Sequence, residues 1–525
     1  MTLLLQEQGI AGSRPPPTPS MPRRNPAGAV PLSHHQERLW FLDQLHPGGA
    51  NYNIPAIARL TGRLNVAALE QSLSEIVSRH ESLRTTFAVQ PDGLPVQVIG
   101  RARPLTLPVT DLTDWPQTER EAEARRLATA EAGRPFVLTR GPLFRASLLR
   151  LSEHEHVLVL NVHHIVADGW SIGVLTRELA VLYEAFSQGH PSPLPELPIQ
   201  YADFALWQRE WMQGEEVQTQ LAYWKQQLSA LPALQLPTDR PRPKVLSYRG
   251  RHQPVMLSKS LTEALRTLAQ REGVSLFMTL LAAFKILLHH DTGQDDIVVG
   301  AGFANRHRSE WEQLIGFFVN TLPLRTNLKG NPGFRELLRR VREVTLGAYA
   351  HQDVPLAKLV KELQSKRDLS RSPLFQVEFT LLTPEHNPAV YGYGLSSTVR
   401  ETLNLPGLTV TSWDVEGGVA RFDVAVFIWD LPEGLSGAVE YSTDLFEPAT
   451  IARLGEQFET LLRWVVAEPD ARLRGLVQRL NEAERQQHIS QEKFYKETAH
   501  QKLKSVKRRT KFQIPNPKFQ TNSND

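Results

Sequence analysis

The 525-residue chain contains no cysteine. That excludes disulfide scaffolds, thiolate metal sites and cysteine nucleophiles, and suits a reducing compartment. No basic stretch followed by an apolar run opens the chain, and no apolar run reaches the roughly eighteen residues that a membrane-spanning helix needs. An excess of one charge is lacking too. The 59 Lys and Arg against 56 Asp and Glu leave a formal net charge of +3, too little to argue for nucleic acid. These absences lead us to expect a soluble, cytoplasmic protein with no nucleic-acid or membrane partner.

What is present is ample core material, 41% apolar residues in a chain long enough for several domains. Residues 1–30 are set apart by GSRPPPTPSMPRRNPAG, where proline forbids helix and central strand, and are expected to be a disordered leader. Helical period is read over 67–79, 172–186, 261–272, 276–289, 334–349 and 451–465, and a strand over 296–300. The helix after residue 171 has Ser171 as its expected N-cap. A crossover at 198–211, followed by PTDRPRPKVLSYRG, divides the globular part into lobes at 31–212 and 213–480. Only eight lysines lie from Pro31 to Leu480, whereas seven lie from Asn481 to Asp525, so 481–525 reads as a linker remnant and a basic, disordered, solvated tail.

The segment richest in chemistry is NVHHIVADGWS, 161–171, preceded by the strand-like EHVLVL at 155–160. Side chains alternate faces along a strand, so His163 and His164 enter different surroundings. One is a candidate catalyst and the other a packing residue. A metal site is disfavoured, since no cysteine and no H-x-x-x-H helix supplies further ligands. Asp168 invites a triad in which its carboxylate orients a histidine. Gly169 is either a plain turn glycine or one that lets a backbone amide approach an oxyanion.

HHIVADG matches the HHxxxDG motif, and six more segments follow one family's order: LSHHQERLWFL (32–42), RHESLRTTF (79–87), YADFALWQ (201–208), IGFFVNTLPLR (315–325), HQDVPLAKLV (351–360) and RDLSRSPLFQ (367–376). Over about 31–487 the chain resembles the condensation domains of nonribosomal peptide synthetases. His35 stands where that family usually has a small residue. The resemblance implies an α/β fold of two chloramphenicol-acetyltransferase-like lobes arranged as a V around a tunnel. It implies amide formation between a donor aminoacyl or peptidyl thioester and the amine of an acceptor aminoacyl thioester. Both are presented on phosphopantetheine arms of donor and acceptor carrier proteins within other synthetase modules, and the domain has no cofactor or metal of its own.

By the same resemblance His164 orients or deprotonates the amine and Gly169 lies beside the thioester. His163 is structural, and Asp168 turns from the substrate to pair with Arg306 of GAGFANRHR. Asn320 and Thr321 are placed near the tunnel, while Trp40, Arg84, Tyr201, Asp203 and Trp207 are scaffold. The HHIVADGWS form is most like the subtype joining an L-donor to an L-acceptor. The alternatives are a starter-type or ester-forming acyltransferase, an inactive recruitment domain of the same fold, and a truncated remnant; intact His163, His164 and Asp168 argue against the inactive form.

Overall fold

The computed structural model describes residues 21–486 and 489, other than 22, 26–28, 46, 364–367, 384–401, 406 and 414–417. Leader residues 1–20, Arg367 of the last matched segment and the basic tail from 490 on lie outside the described residues.

Two six-stranded mixed sheets, one per lobe, organise the chain. The first runs Thr402–Leu405, Leu408–Ser412, Asn53–Gly62, Glu155–His163, Phe144–Ser152, Val109–Asp111, antiparallel except for the last pair. Strand Glu155–His163 reads as an apolar run because both its faces are covered. Leu158, Leu160 and Val162 join the main first-lobe core with helices Val66–Arg79 and Gly169–Ser187. Val157 and Val159 meet Ala124 and Ala128 of helix Gln117–Ala132 on the other face. The strand's position is therefore fixed from two sides, and with it the two histidines at its end.

The second sheet runs Asn320–Asn327, Asp296–Phe303, Val377–Leu382, Val424–Leu431, Gly434–Ser442, Gly250–Met256; Val377–Leu382 is parallel to both its neighbours. Against it lies helix Leu276–Thr292, apolar on most of its circumference because it is enclosed by its own lobe, with the buried Lys285 donating to Leu324 O and Thr326 Oγ1. Ser275 caps it, accepting from Met278 N–H, and Gly293 closes it in the left-handed region at φ 68°.

Several expected boundaries are corrected. Within the leader, Met21 is buried in the first-lobe core, Arg23 donates to the carbonyls of Leu197 and Pro198 (both 2.7 Å), and Arg24 pairs with Glu81 and Asp203. The two arginines find acceptors at Glu81 and between Leu197 and Asp203, which composition could not show. At the other end, a helix over 473–486 runs through residue 480. Leu473, Leu476 and Leu480 are buried, and Glu484 accepts from Gln457 at 2.6 Å. The chain changes cores between helix Tyr201–Trp211 and helix Glu215–Gln227, but it also crosses back. Trp311, Leu314, Ile315, Phe317 and Phe318 are buried in the first-lobe core, and strand Leu408–Ser412 pairs with Asn53–Gly62. Residues 213–480 are thus not a single body.

Candidate active site

His163 is the last residue of its strand and His164 the first beyond it, so their rings part. The His163 ring lies 5.9 Å from Phe136 and 6.5 Å from Tyr52, and its Nδ1 accepts from Ile165 N–H at 3.2 Å. His164 is anchored through its backbone N–H, which donates to Tyr52 O at 2.8 Å. Its ring packs 4.8 Å from Phe317, a residue that has crossed from the second lobe. Nδ1 is 2.9 Å from Ala167 O. A carbonyl can only accept, so Nδ1 carries the proton and Nε2 keeps a lone pair. Burial, aided by Arg421, pushes His164 down to about 4, while Asp168 and the bond to Ala167 oppose it. His163 is pushed to about 3 by burial and by His164 and Arg421. Both imidazoles are neutral at physiological pH.

Asp168, not Ser171, is the N-cap of helix Gly169–Ser187: its carboxylate accepts from Ser171 N–H at 2.9 Å. Ser171 sits three residues on, and its Oγ is 2.7 Å from the same oxygen. The other carboxylate oxygen accepts from Phe318 N–H (2.9 Å) and Val319 N–H (3.1 Å), and Arg306 Nη2 donates to Asp168 at 3.1 Å. Burial pushes this carboxyl up, but Arg306 and the hydrogen bonds from Ser171 and Phe318 outweigh it and hold it below the ordinary range. Arg306 Nη1 donates to the carbonyls of Trp311 and Leu314. The carboxylate is thus engaged by a serine, two backbone amides and an arginine, while the His164 Nδ1–H goes to a carbonyl, so the triad geometry is not formed.

Gly169 is the first residue of its helix and is not among the glycines with left-handed φ. Asn320 lies within the protein rather than on a free wall: its Nδ2 donates to Gln352 O and Val354 O (both 2.8 Å) and its Oδ1 accepts from Leu356 N–H (3.0 Å). That corrects its expected tunnel role to one of holding strand Asn320–Asn327 to helix Leu356–Leu363. Thr321 is half-buried beside it. Tyr201 Oη donates to Phe317 O at 2.7 Å, Asp203 caps its own helix, and Trp207 stacks 6.1 Å from Trp211. Trp40 is buried 6.1 Å from Phe87, and Arg84 donates to Gly100 O. His35 fills the space between Phe317, 5.8 Å away, and Gln208, whose Nε2 lies 3.2 Å from its Nδ1.

Arg421 is the residue that the sequence did not single out. It comes from the second lobe, yet its Nε donates to Asn51 O at 3.3 Å and its guanidinium lies 5.7 Å from the Tyr52 ring. It therefore stands beside the backbone that anchors His164. No local motif marks it, because its role depends on contacts across several hundred residues. Among the described residues no group of three or more metal-ligating side chains converges, and no single helix is long and apolar enough to cross a membrane.

A family model for the condensation domain matches residues 27–489. A linear gramicidin synthase polypeptide of Brevibacillus parabrevis is 50% identical over 463 residues, which is 88% of this chain and 6% of that protein. The chain therefore spans a small fraction of that relative's length. The X-domain from teicoplanin biosynthesis superposes with a TM-score of 0.77 at 29% identity, covering 87% of this chain and 99% of that one. The first condensation domain of the calcium-dependent antibiotic synthetase shares the fold, with a TM-score of 0.69 at 22% identity over 85% of this chain and 98% of that one. The chain belongs to the condensation domain family of nonribosomal peptide synthetases.

Proposed function

We propose that this chain is an amide-forming acyltransferase that joins a carrier-bound donor acyl or peptidyl thioester to the amine of a carrier-bound aminoacyl thioester, in the cytoplasm, with an L-configured donor. In the reaction the amine nitrogen bonds to the donor carbonyl carbon, the C–S bond breaks and the donor's pantetheine thiol leaves with a proton. The phosphopantetheine arms belong to the partner carriers. The observation that carries the reading is the fixed state of His164, with Nδ1–H committed to Ala167 O and a lone pair on Nε2. A neutral imidazole so held accepts a hydrogen bond from the incoming amine and aims the nitrogen at the carbonyl. Because burial makes this ring a weak base, orientation carries more of its effect than full proton transfer. Asp168 and Arg306 hold the loop that carries His164, and His163 fills the space behind it. The Gly169 backbone supports the thioester side of the site.

The test is a two-carrier assay with panels of loaded donors and acceptors, read by intact mass of both carriers. Transfer of the donor mass to the aminoacyl carrier is expected. Transfer to a hydroxyacyl carrier alone indicates ester formation, and transfer from fatty-acyl donors alone indicates a starter domain. Binding of carriers without transfer from any donor indicates recruitment.

A further inference from the structure

Strand Val377–Leu382 turns Val377 and Phe379 into the second-lobe core, so Glu378 points from the opposite face of the sheet. Register places Glu378 opposite Ala425, Ala425 opposite Glu440 and Glu440 opposite His252, one row across four strands. The row lies toward the first lobe: Arg421, whose N–H reaches Glu440, extends its guanidinium to Asn51 and Tyr52, and Arg38 of helix His34–Leu45 acts on Glu378 electrostatically. Arg421 acts on His164 as well, so Glu378 and the candidate catalyst share one neighbouring cation.

The two acids of the row differ. Glu440 is committed: it accepts from Arg421 N–H at 3.0 Å and lies 3.5 Å from His252 Nε2. Glu378 has no hydrogen bond or ion pair among the described residues, and it is half-buried, with its carboxylate oxygens reaching solvent. Beside it Gly302 contributes no side chain; a Cβ there would stand 3.8 Å from Glu378 Oε1. A half-buried carboxylate that has no partner and is open to solvent is placed to take a cation, and partial burial makes such a pair stronger than one on the free surface.

We propose that Glu378 is a specificity-determining residue that takes an ammonium group of the acceptor substrate on the second-lobe wall of the site. The assignment rests on the function proposed above. The ammonium is either the α-amine held before it loses its proton or the side-chain amine of a basic acceptor. Burial and then repulsion from Glu440 push Glu378 up to about 7, against Arg421 and Arg38. Binding of a side-chain amine, which stays protonated, therefore strengthens as pH rises from about 6 to 8, whereas binding of the α-amine rises only to about pH 7.5 and then falls as that amine loses its own proton at about pH 8.

The experiment measures, by calorimetry, binding of stable pantetheine amides bearing glycyl, Nα-acetyl-lysyl, N-acetylglycyl or N-acetylglutamyl groups, to the wild type and to Glu378→Gln. A charge-assisted hydrogen bond predicts about tenfold weaker binding of a cationic ligand to Glu378→Gln at about pH 7.5, where carboxylate and ammonium are both mostly charged, with N-acetylglycyl unchanged. It also predicts a rise in affinity from about pH 6 to about pH 7.5 that the variant lacks. Loss confined to the glycyl ligand identifies the α-ammonium; loss confined to Nα-acetyl-lysyl identifies a side-chain cation. Equal affinities in wild type and variant overturn the proposal, as does failure of both cationic ligands to bind. Preference of the wild type for N-acetylglutamyl overturns it too, and gives the role to Arg38 and Arg421. Should Glu378→Gln melt early, Glu378→Asp, which keeps the charge, must retain the pH dependence. Selective binding through Glu378 without any transfer in the two-carrier assay would sink the proposed function while leaving this assignment standing.

Discussion

Asp168 gathers a helix N-terminus, a serine, two backbone amides from 318–319 and one arginine onto a single buried carboxylate. Removing either charge leaves the other uncompensated. Asp168→Ala and Arg306→Ala should therefore each cost about 3–5 kcal/mol in denaturant unfolding. Their double variant should lose less than the sum, with a coupling of about 0.5–3 kcal/mol. Strict additivity would mean that the contact contributes nothing. His163→Ala should cost about 1–3 kcal/mol through lost packing against Phe136 and Tyr52, with near-normal turnover per folded molecule. A variant that melts normally but is inactive would exchange the roles of the two histidines. At this scale much is legible in the sequence, because HHxxxDG and the matched segments name the residues. The capping role of Asp168 is not, since Asp168 and Ser171 are both good capping types and spacing alone does not choose between them. Arg421 and Glu378 are invisible as members of a site, although the alternation in Val377-Glu378-Phe379 does set Glu378 on the face away from the core.

Among the elements, the segment that crosses from the second lobe positions Phe317 against His164. Its passage requires Gly316, where a Cβ would come within 2.1 Å of the Tyr201 ring. Gly316→Ala should destabilise by about 1–3 kcal/mol and lower turnover more than Leu363→Ala, which ends helix Leu356–Leu363 against the second-lobe core; melting and steady-state rates measure both. Equal effects would show that the crossing segment does not position the site. The long helices are readable from their period, and the observed Val66–Arg79 and Phe334–Ala350 lie within a residue of the expected ranges. The exchange of elements between lobes is not. Strand Leu408–Ser412 is five residues of ordinary β pattern, and nothing local tells it to pair with a strand some 350 positions earlier.

For the molecule as a whole, several histidines are buried in the neutral form, and their stability contribution has a definite sign. Burial pushes His35 and His163 to about 3 and His164 to about 4, all below the unfolded value near 6.5. A depressed histidine stabilises fully above its unfolded value, and that contribution is lost as pH falls from there toward the folded value. Unfolding at pH 5 should therefore take up about one proton at each of the three, and stability should decline from about pH 6.5 downward. Asp168, held below the ordinary carboxylate range, adds its loss only at still lower pH. His35→Gln should reduce the uptake by about one proton, measured as the slope of unfolding free energy against pH between 5 and 6. An unchanged slope would contradict the buried, neutral state.

Amide formation between two carrier-bound substrates is assigned above all to His164, held neutral where the two lobes meet. Single-turnover transfer between loaded carriers by the wild type and by His164→Ala, with melting recorded for both proteins, puts that assignment to trial. Transfer should slow by about 10²- to 10⁴-fold with melting essentially unchanged. Transfer at near-wild-type rate by a folded His164→Ala variant would refute the assignment.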